Sequence, residues 1–251
     1  MRRCGLLMVL VACGTSPLDV PTAEPPDAAL GAPDAPSADA DVTTIPRFST
    51  TTHVDLAFVE RISRFRSGVG HDFADSYETC RSMKHYLCLQ HCLVPNAPPP
   101  GGHDPSWTTI AVRAPTSGTI TRVESEQSFG TQLHIQPAGH PDFRIRIFHV
   151  TPTAGVFEGA AVTAGQPLGM HASDNTMSDV AVEQFLADGF RRISFFDTLT
   201  DAAFAAVQAR GVPSREALRI EAIERDADPL SCLDEAFTWA GSLDHWVTLA
   251  E

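Results

Sequence analysis

Residues 142–150 read DFRIRIFHV, and the pattern of this stretch decides the fold. Phe143, Ile145, Ile147 and His149 alternate with Arg144, Arg146 and Phe148, the period of two that sends successive side chains to opposite faces of a strand. Upstream, GTQLHIQP (130–137) alternates around Leu133 and Ile135, and GTITRVES (118–125) around Ile120. TTIAVRAP (108–115) is short and rich in β-branched residues. Gly and Pro punctuate these runs as turn residues do. Short strands in succession predict a mainly β chain, a compact antiparallel β barrel or sandwich of the duplicated hybrid type. Beyond residue 184 the pattern changes. TDAAFAAVQARG (200–211) has a helical composition, with Thr200 as N-cap, Arg210 in the last turn and Gly211 as stop. SREALRIEAIERD (214–226) reads equally as helix or strand, and Trp239 and Trp246 are expected to pack back on the β core. Residues 47–184 therefore form the expected β domain and residues 185–251 a C-terminal α/β extension.

At the other end, MRRCGLLMVLVAC (1–13) pairs Arg2 and Arg3 with an apolar run far too short to span a bilayer. Its close, LVAC, resembles the lipobox of bacterial lipoproteins, which makes Cys13 the expected lipidation site. A plain secretory signal is the alternative, and both predict export. Residues 14–46 are Pro, Ala and Asp with six acidic residues and no Lys or Arg. Such a stretch buries too little apolar surface to offset its ordering entropy and reads as a disordered tether. The expected location is the cell envelope, on a membrane through the lipid, facing the periplasm or sorted to the outer membrane.

The 251 residues carry a formal net charge of −13, and without the tether and the two leading arginines the remainder holds 25 acidic and 16 basic residues. No basic stripe exists to neutralise phosphates, so nucleic acid is excluded as a partner. Four cysteines remain for the folded part: Cys80, Cys88, Cys92 and Cys232. In an exported chain they read as disulfides with three pairings open. Cys88–Cys92 as a local bridge, with Cys80–Cys232 tying the C-terminal segment to the start of the domain, is preferred here. The alternative is a zinc cluster of Cys80, Cys88, Cys92 and His85 or His91, whose spacing is not the usual one.

HDFAD (71–75) places His71 and Asp75 in an H-x-x-x-D spacing. After it come APTSGTI (114–120), GTQLHI (130–135), RIFHV (146–150) with His149, and VFEGAAVTAGQPLG (156–169). In this order the elements resemble the LytM/lysostaphin-type zinc endopeptidases, bacterial peptidoglycan hydrolases with a compact β fold. The resemblance covers roughly residues 66–184. It implies zinc, held by His71 and Asp75, with His149 as the base beside a zinc-bound water, and peptidoglycan as partner. The family's closing H-x-H is absent. The matching strand, MSDVAVEQF (177–185), puts Asp179 and Ala181 at the two histidine positions, or, shifted by two residues, Asp179 at the ligand position.

A catalytic zinc needs three protein ligands and one open position. With Asp179 as third ligand the site is His71–Asp75–Asp179. With Ala181 there, two ligands remain, unless His171 completes the set. Each residue has a plainer reading: His71 and Asp75 as loop-capping groups, His149 as a satisfied core histidine, and Lys84 and His85 as surface residues of a disulfide-held segment or as the rim of the site. Two functions follow from the resemblance. One is a peptidase acting on peptidoglycan, with activity reduced or lost. The other is a non-catalytic protein that binds peptidoglycan or regulates a hydrolase, which adds a protein partner at the cell wall. A third, weaker reading takes GAAVTAGQPLG (159–169) as a biotinyl/lipoyl-like hybrid barrel, but no Lys sits at the hairpin tip to carry a cofactor.

Overall fold

Eleven strands make up the sheet in chain order: β1 (Val59–Ser63), β2 (His85–Leu89), β3 (Ala111–Arg113), β4 (Gly118–Ser125), β5 (Thr131–Pro137), β6 (Phe143–Pro152), β7 (Ala161–Val162), β8 (Pro167–His171), β9 (Ser178–Leu186), β10 (Gly189–Ile193) and β11 (Trp246–Thr248). The computed structural model describes residues 45–89, 106–233, 236–238 and 245–250, all within one unit, Thr43–Glu251. Cys13, His91, Cys92, Trp239 and residues 14–44 of the expected tether lie outside the described residues. No helix among the described residues is long and apolar enough to cross a membrane.

The main path runs β11-β1-β2-β9-β6-β5-β4-β7, with β10 on β9, β8 on the end of β6 and β3 on β8. All of these pairings are antiparallel. The chain is thus mainly β, as its alternation predicts. Among the described residues no pairing joins β11 to β7, so the sheet is open and not a closed barrel.

β6 is central because its alternation is matched on both sides. Ile145 lies opposite Ile135 of β5 and Val182 of β9, and Ile147 opposite Leu133 and Val180. These residues are fully buried and form one core with Ile62, Leu87, Ile120, Phe195 and Phe196. The other face of β6 and β9, together with β2, carries the polar chemistry. Arg144 lies opposite Glu183, Arg146 opposite Ala181, and Tyr86 of β2 opposite Asp179. The first six residues of β9 are all buried, so Asp179 and Glu183 sit in a strand covered on both faces.

The segment after residue 185 is continuous with this sheet. β9 runs to Leu186 and turns back as β10. α1 (Asp201–Ala209) starts at Thr200, whose hydroxyl accepts from the Ala203 amide, and stops before Gly211 at φ 87°. A second short helix, α2 (Ala222–Ala227), follows. β11 adds to the free edge of β1, with a buried Trp246 opposite Ser63.

Candidate functional site

A cleft of about 500 Å³ opens on the polar face, floored by β2, β9 and β6 and roofed by the loop that carries HDFAD. The loop is held from several sides. Ser67 and Phe73 both bridge to Ser82. The Gly70 amide donates to the Thr238 carbonyl at 2.9 Å, and a disulfide joins Cys80 to Cys232. Gly70 has φ 79°, and a Cβ built there would stand 2.0 Å from the Tyr86 hydroxyl oxygen, so only glycine fits the turn into His71. Cys88 is also disulfide-bonded.

Asp75 is a loop cap. Its Oδ1 accepts from the amides of Tyr77 (2.8 Å) and Glu78 (2.9 Å), and its Oδ2 accepts from the Arg192 amide of β10 (2.8 Å). Both oxygens are thereby committed to backbone N–H groups. His71 is exposed and donates from Nδ1 to the Asp72 carbonyl at 2.8 Å, which leaves Nε2 as the acceptor of the neutral ring. Desolvation and the Lys84 ammonium hold its pKa below the ordinary value.

The centre of the cleft is an ion pair. Lys84 Nζ donates to Asp179 Oδ2 at 2.7 Å, and the two side chains are 3% and 2% exposed. Three rings surround the ammonium, with centroids at 4.4 Å (Phe148), 4.6 Å (Tyr86) and 5.0 Å (Phe73). Aromatic faces attract a cation in such a cage. Burial pushes Lys84 toward its neutral form, but the Asp179 carboxylate and Tyr86 outweigh it and hold the pKa above the ordinary value. Lys84 and His85 are therefore not surface residues. The β2 register turns Lys84 to the cleft with Tyr86 and His85 to the core, where it bonds the Ser63 carbonyl and the Ser194 hydroxyl.

His149 closes the arrangement. Its Nε2 lies 3.5 Å from Asp179 Oδ2 and its Nδ1 3.2 Å from Glu126 Oε2, which also accepts the His149 amide at 2.8 Å. The alternation of β6 placed His149 on the apolar face with Ile145 and Ile147. Instead its backbone turns left-handed at φ 59°, where β5 and β6 also slip register, and this turns the ring to the cleft. Such a conformation is costly for a residue with a Cβ and is held by surrounding contacts. Burial lowers the His149 pKa, but Asp179 and Glu126 more than reverse this and raise it to about 9. Asp179 is lowered to about 2 by Lys84 and His149 against its burial. His149 is thus an imidazolium between two carboxylates at neutral pH.

The expected ligand set His71–Asp75–Asp179 is not assembled. Among the described residues no group of three or more His, Cys, Asp or Glu is placed to hold a metal. The physical reason lies in the donors: Asp75 caps its own loop, Asp179 already neutralises an ammonium, and Ala181 offers no donor atom. His171 does not complete the set. It is 1% exposed, its ring centroid lies 6.4 Å from that of His149, and burial first among several causes lowers its pKa to about 4. The residues of the cleft do not fit a zinc ion, because a lysine supplies the positive charge beside Asp179. Glu126, Gln132 and Arg146 were not singled out from the sequence as site residues, although Gln132 lies within GTQLHI and Arg146 opens RIFHV.

No family model matches the chain, and no curated protein does. Among solved structures, the chain is similar to lysostaphin (22% identity over 32% of this chain and 34% of that one, TM-score 0.26). It is also similar to a Ruminococcus gnavus structure described as a glycyl-glycine endopeptidase LytM (16%, 42% and 45%, 0.34). A third is Csd3 of Helicobacter pylori (13%, 62% and 36%, 0.39). The chain spans between about a third and a half of the length of these structures.

Proposed function

We propose that this chain is a cell-envelope protein that binds peptidoglycan peptides in the Lys84–Asp179–His149 cleft and does so without a metal ion. The observation that carries the reading is the Lys84–Asp179 pair at 2.7 Å. A divalent cation and an ammonium do not share one carboxylate in so buried a place without strong repulsion. The ordered motifs from HDFAD to GQPLG support a peptidoglycan role, because they resemble those of wall hydrolases. The cleft retains aromatic walls and hydrogen-bonding groups suited to a peptide, while the charges that hydrolysis would draw on are already paired with one another. The N-terminal LVAC and the acidic stretch 14–46 fit a lipid at Cys13 and a tether that lets the domain reach the wall.

The test is zinc content and wall binding together. Full-length protein purified without chelator is expected to carry far less than one zinc per chain, and its binding to isolated sacculi is expected to survive a chelator. One zinc per chain, lost in His71→Ala together with sacculus binding, would overturn the proposal. The anchor is tested separately: Cys13→Ser is expected to move the chain from the membrane to the soluble fraction, and an unchanged distribution rejects lipidation at Cys13.

A further inference from the structure

At the β6 end of the cleft one carboxylate organises three guanidinium groups. Glu183, 1% exposed, accepts from Arg144 Nε at 2.6 Å and Arg146 Nη1 at 2.9 Å, and Arg192 Nη1 lies 3.0 Å from it. The other acid acting on Arg192 is Asp75. Three positive charges thus face two negative ones in a chain whose net charge is −13. Arg146 is the guanidinium that lines the cleft. Its Nε donates to Gln132 Oε1 at 2.8 Å, the oxygen that also accepts from His134 Nε2 at 2.6 Å. Two of its three nitrogens are therefore fixed, and among the described residues Nη2 has no hydrogen-bond partner. A guanidinium held this way loses little freedom when it meets a ligand, and its geometry matches a carboxylate.

We infer that Arg146 forms the subsite for a free carboxylate of a bound peptide. The inference deepens the proposed function and rests on its reading of the cleft as a peptide site. The chemistry favours a monoanion. A doubly charged phosphate would meet the same guanidinium, but Lys84 and His149, the other cations lining the cleft, are already paired with Asp179 and Glu126, so its second charge finds no unpaired cation among the described lining residues. The rings of Phe73 and Phe148, 5.3 and 5.4 Å from the Arg146 guanidinium, suit the apolar side chain that adjoins a peptide carboxylate.

The test uses the full chain, N-acetyl-dialanine and its C-terminal amide, in ligand-observed NMR titrations. The free carboxylate is expected to bind at least tenfold more tightly than the amide. Arg146→Gln is expected to erase that difference, and inorganic phosphate at equal concentration is expected not to displace the peptide. Arg146→Lys keeps the charge on Glu183 but loses the fork, and is expected to keep only part of the difference. It carries the test should Arg146→Gln fail to fold. Equal binding of the two forms, binding of neither, intact discrimination in Arg146→Gln, or displacement by phosphate would each overturn the subsite. Peptidoglycan fragments with free and amidated carboxylates separate this inference from the proposed function. Fragments that bind regardless of amidation sink the subsite alone. Dipeptide discrimination without fragment binding sinks the peptidoglycan reading and leaves the subsite standing.

Discussion

Replacing Lys84 by Met tests the centre of the cleft. Methionine keeps most of the stem that packs against Phe73, Tyr86 and Phe148 but removes the ammonium 2.7 Å from Asp179. Two estimates bound the effect. The lowering of Asp179 from its ordinary 3.8 to about 2 corresponds to ~2 kcal/mol of stabilisation of the carboxylate. Removing one partner of a buried pair, which leaves the other charge uncompensated, costs about 3–5 kcal/mol. His149 remains at 3.5 Å as a second cation for Asp179, so the expected loss is near ~3 kcal/mol, read as a shift of the urea midpoint at constant slope. The double variant Lys84→Met, Asp179→Leu leaves no unpaired charge and is expected to recover most of that loss, so the two substitutions are strongly non-additive in the cycle. If Lys84→Met costs under about 1 kcal/mol, or the double variant is as unstable as the single, the pair does not hold the cleft together and the argument against a metal there fails with it.

Three further perturbations follow from the same geometry. Gly70→Ala combines a strained φ with a Cβ 2.0 Å from the Tyr86 hydroxyl, so it is expected to cost ~2 kcal/mol or more; unchanged stability in urea would mean the loop before His71 is not packed on Tyr86. Replacing both Cys80 and Cys232 by Ser opens a covalent loop of sequence separation 152, for which chain entropy gives about 5 kcal/mol; a loss under ~1 kcal/mol would show that the C-terminal segment is held without the bridge. Acidification from pH 7 to 5.5 is expected to destabilise the fold. Burial lowers His53 to about 3 and His85 to about 4, so over this interval the unfolded chain takes up protons that the folded one refuses, at about 1 kcal/mol for each residue. His149, raised to about 9, acts in the opposite sense and returns less than His53 and His85 together remove, as its unfolded form titrates. His134 and His171, both lowered to about 4, add to the loss. Urea midpoints that rise between pH 7 and 5.5 would contradict the neutral burial of these rings.

Strands β3 to β6 were legible because alternation and β-branched composition are local properties. Phe143, Ile145 and Ile147 needed only a two-residue period and a core to face, and the α1 boundaries needed only a capping Thr200 and a stopping Gly211. The ordered motifs likewise located the segments that meet at the cleft: HDFAD above it, RIFHV and SDVAV on its floor. What those residues do there was not legible, since it depends on partners far along the chain. Asp75 is a ligand by the family resemblance and becomes a cap because the Arg192 amide, 117 positions away, reaches its second oxygen. His149 reads as a core residue by parity and leaves that face because one left-handed residue breaks the alternation. Lys84 reads as surface and is buried because β2 docks beside β9 and brings it to Asp179, 95 positions later in the chain. Periodicity and capping are set by neighbours in sequence, so the chain alone determined β3 to β6, the α1 helix and the segments that could carry chemistry. The charge balance that pairs Asp179 with Lys84 and His149 arises between strands distant in sequence, and only their packing decided it.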